Sequence, residues 1–318
     1  MRAARMRTRH CPGPGEWLRL TSVETSLSYR HPFEGPLWRR VFLLGVRHFP
    51  RPVQVATMPL WAALFFGPLP RVWRVCGDNL DRLDGPLPPP ARALRTYRLM
   101  VNYAQSITDA YRCHVGGAVP VEAVYHGRDR LEAARAAGRG AIIVTGHLGA
   151  WQLGPYLLAR EDVGPLAVAM AQEPNPALQR FMESFPRPFR IVYSNGSTFG
   201  TLSLRTTLDA GGTVAMQLDR PLGEAFVTLP FCGGEARFAT GPAALARTTG
   251  APLVPSFLLM GPGATVQVHV EEPIVVRRTR DRAADLAAAT RAVAARYEQH
   301  VRAAPLQWFN FYEFWSAS

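Results

Sequence analysis

The sequence has no lysine, little cysteine, and none of the short motifs that mark several common classes of protein. No C-x-x-C pair occurs that would suggest a zinc knuckle or a redox dithiol. We expect reduced, buried cysteines of a cytosolic protein at all four positions, Cys11, Cys76, Cys113 and Cys232. The absence of G-x-S-x-G argues against a serine hydrolase of the α/β-hydrolase type. We expect neither a bound metal nor a cofactor.

Long apolar runs are also absent. The longest candidate, VQVATMPLWAALFFGPL over residues 53 to 69, sits at the short limit for a membrane-spanning helix, and Pro59 interrupts it. Arginines flank it on both sides: Arg47, Arg51, Arg71 and Arg74. These features favour an interfacial or shallowly inserted element whose arginines contact lipid phosphates. A buried core helix is the alternative.

The N-terminus begins with the basic stretch MRAARMRTRH, but no apolar h-region follows it. We therefore expect a flexible leader over residues 1–34 rather than a cleavable secretory signal. We predict a helical, membrane-associating region over residues 35–115 and an α/β catalytic region over residues 116–318. Residues 35–318 together are expected to form one structural domain.

The 318 residues carry a formal net charge of +12, and all 36 basic residues are arginine. This charge favours anionic partners, such as a phospholipid surface or a phosphate-bearing cosubstrate. The arginines are scattered, and no zinc finger, basic zipper or aromatic RNA-recognition signature accompanies them. We therefore expect an anionic membrane surface as a partner, and no nucleic acid.

Beyond residue 118 short apolar runs alternate with helical stretches. This order predicts a mostly parallel central sheet with helices on both faces. The predicted strands are AIIVTG, LAVAMAQ, FRIVYS, TVAMQL, FVTLPF, PLVPSFLLM and TVQVHVEEP.

The stretch TGHLGAWQLG follows the first of these strands and places His147 at its carboxyl end. Ligands collect at this end of the strands in open α/β sheets. Gly149 allows a tight turn, and the helix expected to begin near Ala150 would offer free N–H groups. An imidazole there can act as a general base on a hydroxyl that attacks a carbonyl, with backbone N–H groups holding the oxyanion.

A second block, AMQLDRPLGEAFVTLPFCGGEARFATGPAALARTTGAPLVPSF, ends a later strand at Asp219. Together the two blocks resemble the lysophospholipid acyltransferase-like superfamily, in its lipid A lauroyl and myristoyl acyltransferase branch. His147 matches the histidine of the family's H-x4-D/E motif, and QWFNFYEFW matches its aromatic C-terminal segment. The resemblance spans roughly residues 35 to 315.

The resemblance implies an O-acyltransferase of lipid biosynthesis. Such an enzyme moves a fatty acyl group from an acyl carrier protein or coenzyme A thioester to a hydroxyl of a lipid or glycolipid, as in lipid A biosynthesis. It also implies a peripheral or monotopic protein on the cytoplasmic face of the inner membrane.

Gln152 departs from this pattern, because it stands where the motif has an acid. A neutral amide can orient an imidazole but cannot stabilise an imidazolium as a carboxylate does. Three interpretations stay open: another carboxylate serves, the enzyme works slowly, or it is a catalytically silent lipid-binding relative. Asp219 is the first candidate for the missing carboxylate and Glu235, on the CGGEARF turn, is the second.

Further candidates for substrate binding are basic, aromatic or helix-terminal residues. Arginine can bind phosphate, the N-terminus of the helix after Thr240 can receive an anion, and aromatic rings can line an acyl groove. These candidates are Arg180, Arg205, Arg220, Thr240, Trp151, Trp308, Phe309 and Phe311.

Overall fold

The computed structural model describes residues 36–116, 119–161, 163–173, 175–193, 198–221 and 223–315. The predicted leader over residues 1–34 lies outside these ranges, as does Cys11. Within them, Cys76, Cys113 and Cys232 are buried free thiols, as expected.

Within the described part of the chain four helices precede the sheet, and each has a proline in its first turn. Proline is favourable there because its missing N–H would have no partner within the helix. The helices are α1 (Pro36–His48), α2 (Arg51–Phe66), α3 (Pro70–Asp84) and α4 (Pro89–Gly116).

Helix α2 coincides with most of the apolar run and has two different sides. Ala62 and Phe66 are buried in a cluster that includes Met100 of α4. At the start of α2, Arg51 forms a two-point ion pair with the buried Asp109 of α4, at 3.0 Å for each contact. Away from this packed side, α2 leaves six large apolar residues exposed: Val53, Val55, Leu60, Trp61, Leu64 and Phe65. One side of this helix is therefore core, and the other is open surface.

Among the described residues no single helix has both the length and the apolar character needed to cross a membrane. Helices α2 and α3 meet that criterion only as a pair, and their axes bend by 113° at the break between them.

The central sheet has seven strands in the order β1-β9-β8-β2-β5-β3-β4. All neighbouring pairs are parallel except β8 and β9. The prediction of a mostly parallel sheet is thus confirmed. The strands are β1 (Glu122–His126), β2 (Ala141–Thr145), β3 (Leu166–Met170), β4 (Arg190–Tyr193), β5 (Thr213–Gln217), β8 (Leu253–Met260) and β9 (Thr265–Val270). A separate antiparallel hairpin joins β6 (Phe226–Phe231) and β7 (Gly234–Ala239).

Helices cover both faces of the sheet, and each face has its own core. On one face α4 packs with α5 (Arg128–Ala136) and α6 (Gly154–Leu158). On the other face α8 (Thr198–Asp209), α9 (Gly241–Thr249) and α10 (Arg282–Ala303) pack with the hairpin. Helix α7 (Pro176–Glu183) lies between β3 and β4 in the chain.

Candidate active site

The register of two neighbouring strands brings the first candidates together. In the parallel pair β2 and β5, Thr145 lies opposite Gln217. His147 and Asp219 each follow this pair by two residues, so they emerge side by side at the carboxyl edge of the sheet. The 72 residues that separate them in the chain form the crossover connections through β3 and β4.

His147 and Asp219 form a doubly hydrogen-bonded pair. The Nδ1 of His147 lies 2.9 Å from Oδ1 of Asp219, and the backbone N–H of His147 donates to Oδ2 at 2.8 Å. Because the carboxylate accepts the proton on Nδ1, Nε2 is left with a free lone pair. This is the tautomer that a general base requires.

Glycines on either side of His147 allow the close packing at this turn. A side chain at Gly146 would collide with the ring of Tyr297. Gly149 has a φ of 59°, and a Cβ there would collide with the carbonyl oxygen of Leu258. The predicted role of Gly149 as a turn residue is consistent with this geometry.

Burial and charge set the protonation states of the pair. Burial lowers the pKa of His147, Asp219 raises it in part, and Arg220 lowers it again, so the net direction is downward. Burial alone would raise the pKa of Asp219, but His147 and Arg220 bring it to about 2. The resting pair is therefore a neutral imidazole beside a carboxylate.

Aromatic residues near the C-terminus hold Asp219 and His147 in place. Tyr297 and Tyr312 were not among the residues predicted from the sequence, and Trp308 and Phe309 were predicted to line an acyl groove rather than to have this role. The hydroxyl of Tyr297 donates to Oδ2 of Asp219 at 2.8 Å, and Trp308 donates to the Tyr297 oxygen at 2.9 Å. Tyr312 donates to the backbone carbonyl of Asp219 at 2.7 Å. The backbone N–H of Phe309 donates to the carbonyl of His147 at 2.8 Å.

A cavity of about 490 Å³ opens beside His147 on the face of the sheet covered by α4 and α6. Most of its lining is apolar. Helix α4 contributes Tyr103, Ile107, Ala110 and His114, which share one face of the helix and span about 16 Å along its axis. The cavity thus has the volume and the apolar lining that suit a hydrocarbon chain.

Two predicted binding residues, Trp151 and Arg220, also line this cavity. The ring of Trp151 lies 5.1 Å from that of His147. The guanidinium of Arg220 donates to the carbonyl of Phe309 at 3.1 Å and lies over the ring of Tyr312. Gln152 also lines the cavity. It does not orient the imidazole, because Nδ1 of His147 is hydrogen-bonded to Asp219 instead.

Four other predicted site residues lie outside the cavity lining. Arg180 is exposed on α7, and Arg205 is exposed on α8, where it pairs with Asp209. Glu235 is exposed on β7, so it is not the carboxylate partner of His147. Thr240 precedes α9 and makes no capping bond through its side chain. Arg180, Arg205 and Glu235 are thus solvated surface residues, and Thr240 is simply the residue before a helix.

The backbone around His147 also differs from expectation. The chain after Ala150 forms a short 3-10 turn, Trp151–Leu153, before α6 begins. The N–H groups of His147, Gly149 and Ala150 are already bonded to Asp219, Gln307 and Leu258. They are therefore not free to hold an oxyanion. The aromatic residues Trp308, Phe309 and Phe311 pack in the core and do not line the cavity.

Comparison with known proteins identifies the family. The profile of the bacterial lipid A biosynthesis acyltransferases matches residues 103–316, which include His147, Asp219 and the C-terminal aromatic segment. The chain belongs to this family. Its members are lipid acyltransferases, as the sequence resemblance implied.

Curated relatives are mycobacterial. A phosphatidylinositol mannoside acyltransferase of Mycobacterium tuberculosis is 31% identical over 202 residues, which cover 62% of this chain and 61% of the relative. The alignment thus leaves more than a third of that relative unmatched. A protein of the same name from Mycolicibacterium smegmatis is 27% identical over 75% of this chain and 78% of its own.

A solved structure with some likeness is the 1-acyl-sn-glycerophosphate acyltransferase PlsC from Thermotoga maritima. It is 16% identical, with a TM-score of 0.38, over 80% of this chain and 98% of PlsC.

Proposed function

We propose that this family member transfers a fatty acyl group from a thioester, carried by acyl carrier protein or coenzyme A, to a hydroxyl of a lipid or glycolipid. The observation that carries this proposal is the pairing of His147 with a buried carboxylate at the wall of a mostly apolar cavity. The pair supplies a base, and the cavity supplies a place for the acyl chain.

In the proposed reaction Nε2 of His147 takes the proton of the acceptor hydroxyl as its oxygen attacks the thioester carbonyl. The resulting oxyanion collapses, the carbon–sulfur bond breaks, and the imidazolium returns its proton to the thiolate. Asp219 stabilises the transient imidazolium and keeps Nε2 directed away from itself. The products are an ester and a free thiol, so atoms and charges balance.

Arg220 is the group we assign to the oxyanion. The backbone N–H groups of His147, Gly149 and Ala150 are already bonded, whereas Arg220 lines the same cavity as His147. A fixed positive charge there stabilises developing negative charge in a site from which water is largely excluded.

The first two helices support an association with the membrane. Helix α1 exposes Leu37, Val41 and Leu44, and it carries Arg39, Arg40 and Arg47. Helix α2 adds its own exposed apolar side. A surface that combines exposed apolar residues with arginines suits the interface of an anionic bilayer. We accordingly propose a peripheral or monotopic protein at the cytoplasmic face of the inner membrane.

The alternative of a catalytically silent lipid-binding relative rested on Gln152 alone. Asp219 is the carboxylate partner of Nδ1 of His147. The glutamine at position 152 therefore does not mean that the imidazole lacks a carboxylate. We therefore favour an active enzyme.

The test is acyl transfer by the purified protein. Acyl-coenzyme A and acyl-acyl carrier protein are supplied with a bacterial lipid extract, thiol release is followed, and acylated lipids are identified by mass spectrometry. His147→Ala should lower the rate about 10²–10⁴-fold while keeping the fold, because it removes the base. A folded His147→Ala variant with wild-type turnover, or a wild-type protein that binds lipid but releases no thiol, would contradict the proposal.

A further inference from the structure

Two buried polar atoms in the cavity wall lack a partner. Oε1 of Gln152 and Oγ1 of Thr145 are shielded from solvent, and neither has a hydrogen bond to any described residue. Both residues line the same cavity as His147. A buried polar atom without a partner destabilises the folded protein, so each such atom in a site calls for an explanation.

The catalytic pair does not provide that explanation. Asp219 already accepts from His147 through Nδ1 and through the backbone N–H, and it accepts from Tyr297 as well. Gln152 is therefore not needed to orient the imidazole. Gln307, by contrast, illustrates a structural glutamine, because its amide bonds both the N–H and the carbonyl of Met260.

The chemistry of the unpartnered atoms restricts what they can bind. An amide oxygen only accepts hydrogen bonds, whereas a threonine hydroxyl both donates and accepts. In the reacting part of the acyl donor, neither the thioester group nor its hydrocarbon chain has an N–H or O–H to donate to Gln152. A second hydroxyl on the acceptor does, and a hydroxyl can also accept from Thr145.

We propose that Gln152 and Thr145 bind a second hydroxyl of the acyl acceptor, next to the hydroxyl that His147 deprotonates. This assignment rests on the proposed function and narrows its substrate class to lipids with two or more neighbouring hydroxyls. A neutral amide suits this role because it accepts a hydrogen bond without adding a charge beside the base.

The experiment compares two acceptors in the wild-type protein and in Gln152→Leu. One acceptor is a 1-monoacylglycerol, which has two adjacent hydroxyls, and the other is the matching 1-monoacyl ester of 1,2-propanediol, which has one. We expect the wild-type kcat/KM to favour the diol, and this preference to fall about five- to tenfold in the variant, as loss of one hydrogen bond predicts. Gln152→Glu keeps acceptor oxygens and should retain the preference, and Thr145→Val should weaken it.

Thermal unfolding separates this role from a structural one. Gln152→Leu removes an unsatisfied buried acceptor, so its Tm should equal or exceed that of the wild type, whereas the control Gln307→Leu should lower Tm. An unchanged preference in Gln152→Leu, or a clear fall in its Tm, would overturn the assignment. Neither result would alter the His147→Ala comparison, so failure of this assignment is distinguishable from failure of the proposed function.

Discussion

At the scale of single residues, the site depends on opposing influences on one imidazole. Burial and Arg220 disfavour the protonated form of His147, while Asp219 favours it, and the net effect is a lowered pKa. The imidazole of His147 is therefore neutral in the resting protein at neutral pH. In the proposed mechanism, proton transfer from the substrate creates the imidazolium only during the reaction, when Asp219 stabilises it.

This balance predicts the pH dependence of the reaction. Since His147 must be neutral to act, kcat/KM should fall on the acid side with an apparent pKa below 6.5, the ordinary value for histidine. Arg220→Gln removes a charge that lowers this pKa, so the acid limb should move to higher pH. The same variant should lose about 10²-fold in kcat, because it loses oxyanion stabilisation.

The measurement is the pH–rate profile of both proteins with one thioester and one acceptor. As a control, Arg205→Gln alters an exposed arginine that lies outside the cavity lining and should reproduce the wild-type profile. An acid limb that stays in place or moves to lower pH in Arg220→Gln would refute the electrostatic account.

The sequence was sufficient to predict the pairing of His147 with Asp219, but not the residues that hold Asp219 in place. His147 and Asp219 both follow apolar strands, and parallel strands end at one edge, so their meeting could be anticipated. Tyr297 and Tyr312 reach Asp219 across 78 and 93 residues, respectively. Neither lies at a strand end. Tyr297 lies in a helix and Tyr312 in the aromatic C-terminal segment, and an aromatic residue in a helix or tail is most often plain core.

At the scale of elements, α1 and α2 combine a packed side with an exposed apolar one. The packed side includes Ala62 and Phe66, and Arg51 ties α2 to α4 through Asp109. Deleting these helices would thus remove part of the core as well as the proposed membrane surface. Point substitutions on the exposed side isolate the membrane effect.

We predict that Leu44→Asp and Leu60→Asp together weaken binding to anionic vesicles. Both side chains are exposed, at 57% and 71%, so their replacement should cost little stability. Each change removes apolar contact with the bilayer and adds a charge that phospholipid phosphates repel. Cosedimentation with vesicles containing an acidic phospholipid measures the effect.

Phe199→Asp serves as the matched control, because Phe199 is 85% exposed but lies on α8. It should bind vesicles as the wild type does. Equal binding by the double variant and the wild type would show that α1 and α2 are not the membrane-binding surface.

The sequence predicted elements with strong periodicity and missed those without it. Seven apolar runs were assigned as strands, and all seven are strands. Strands β1 and β7 were missed: EAVYH is short, and the glycines at the start of the hairpin turn made GEARFA resemble a loop. Burial alternates along both strands, but pairing with β9 and β6 rather than local sequence decides their conformation.

At the scale of the whole molecule, the aromatic C-terminal segment QWFNFYEFW contacts both the core and the candidate site. Trp308 is buried, and its indole N–H donates to the hydroxyl of Tyr297. Its ring packs against three other aromatic residues, Phe231, Phe314 and Trp315. Trp315 in turn donates to the carbonyl of Phe231 at 2.7 Å. The same segment therefore stabilises the core and positions the carboxylate.

Trp308→Ala should accordingly lower the free energy of unfolding by about 3–5 kcal/mol, the range for truncating a large buried aromatic side chain. Trp61→Ala, at a side chain that is 45% exposed, should change it by about 0.5 kcal/mol or less. Chemical denaturation followed by circular dichroism gives both values. Similar losses for the two variants would contradict a core role for Trp308.

The central claim is that folding unites His147 with Asp219, and not with Gln152, as a working base. The direct measurement is kcat for thiol release by Asp219→Asn and Gln152→Ala beside the wild type, with folding checked by circular dichroism. Asp219→Asn should lose about 10²–10⁴-fold, because the imidazolium loses its counter-charge, whereas Gln152→Ala should lose about tenfold or less. A folded Asp219→Asn variant within tenfold of wild type, or a larger loss in Gln152→Ala, would contradict the account.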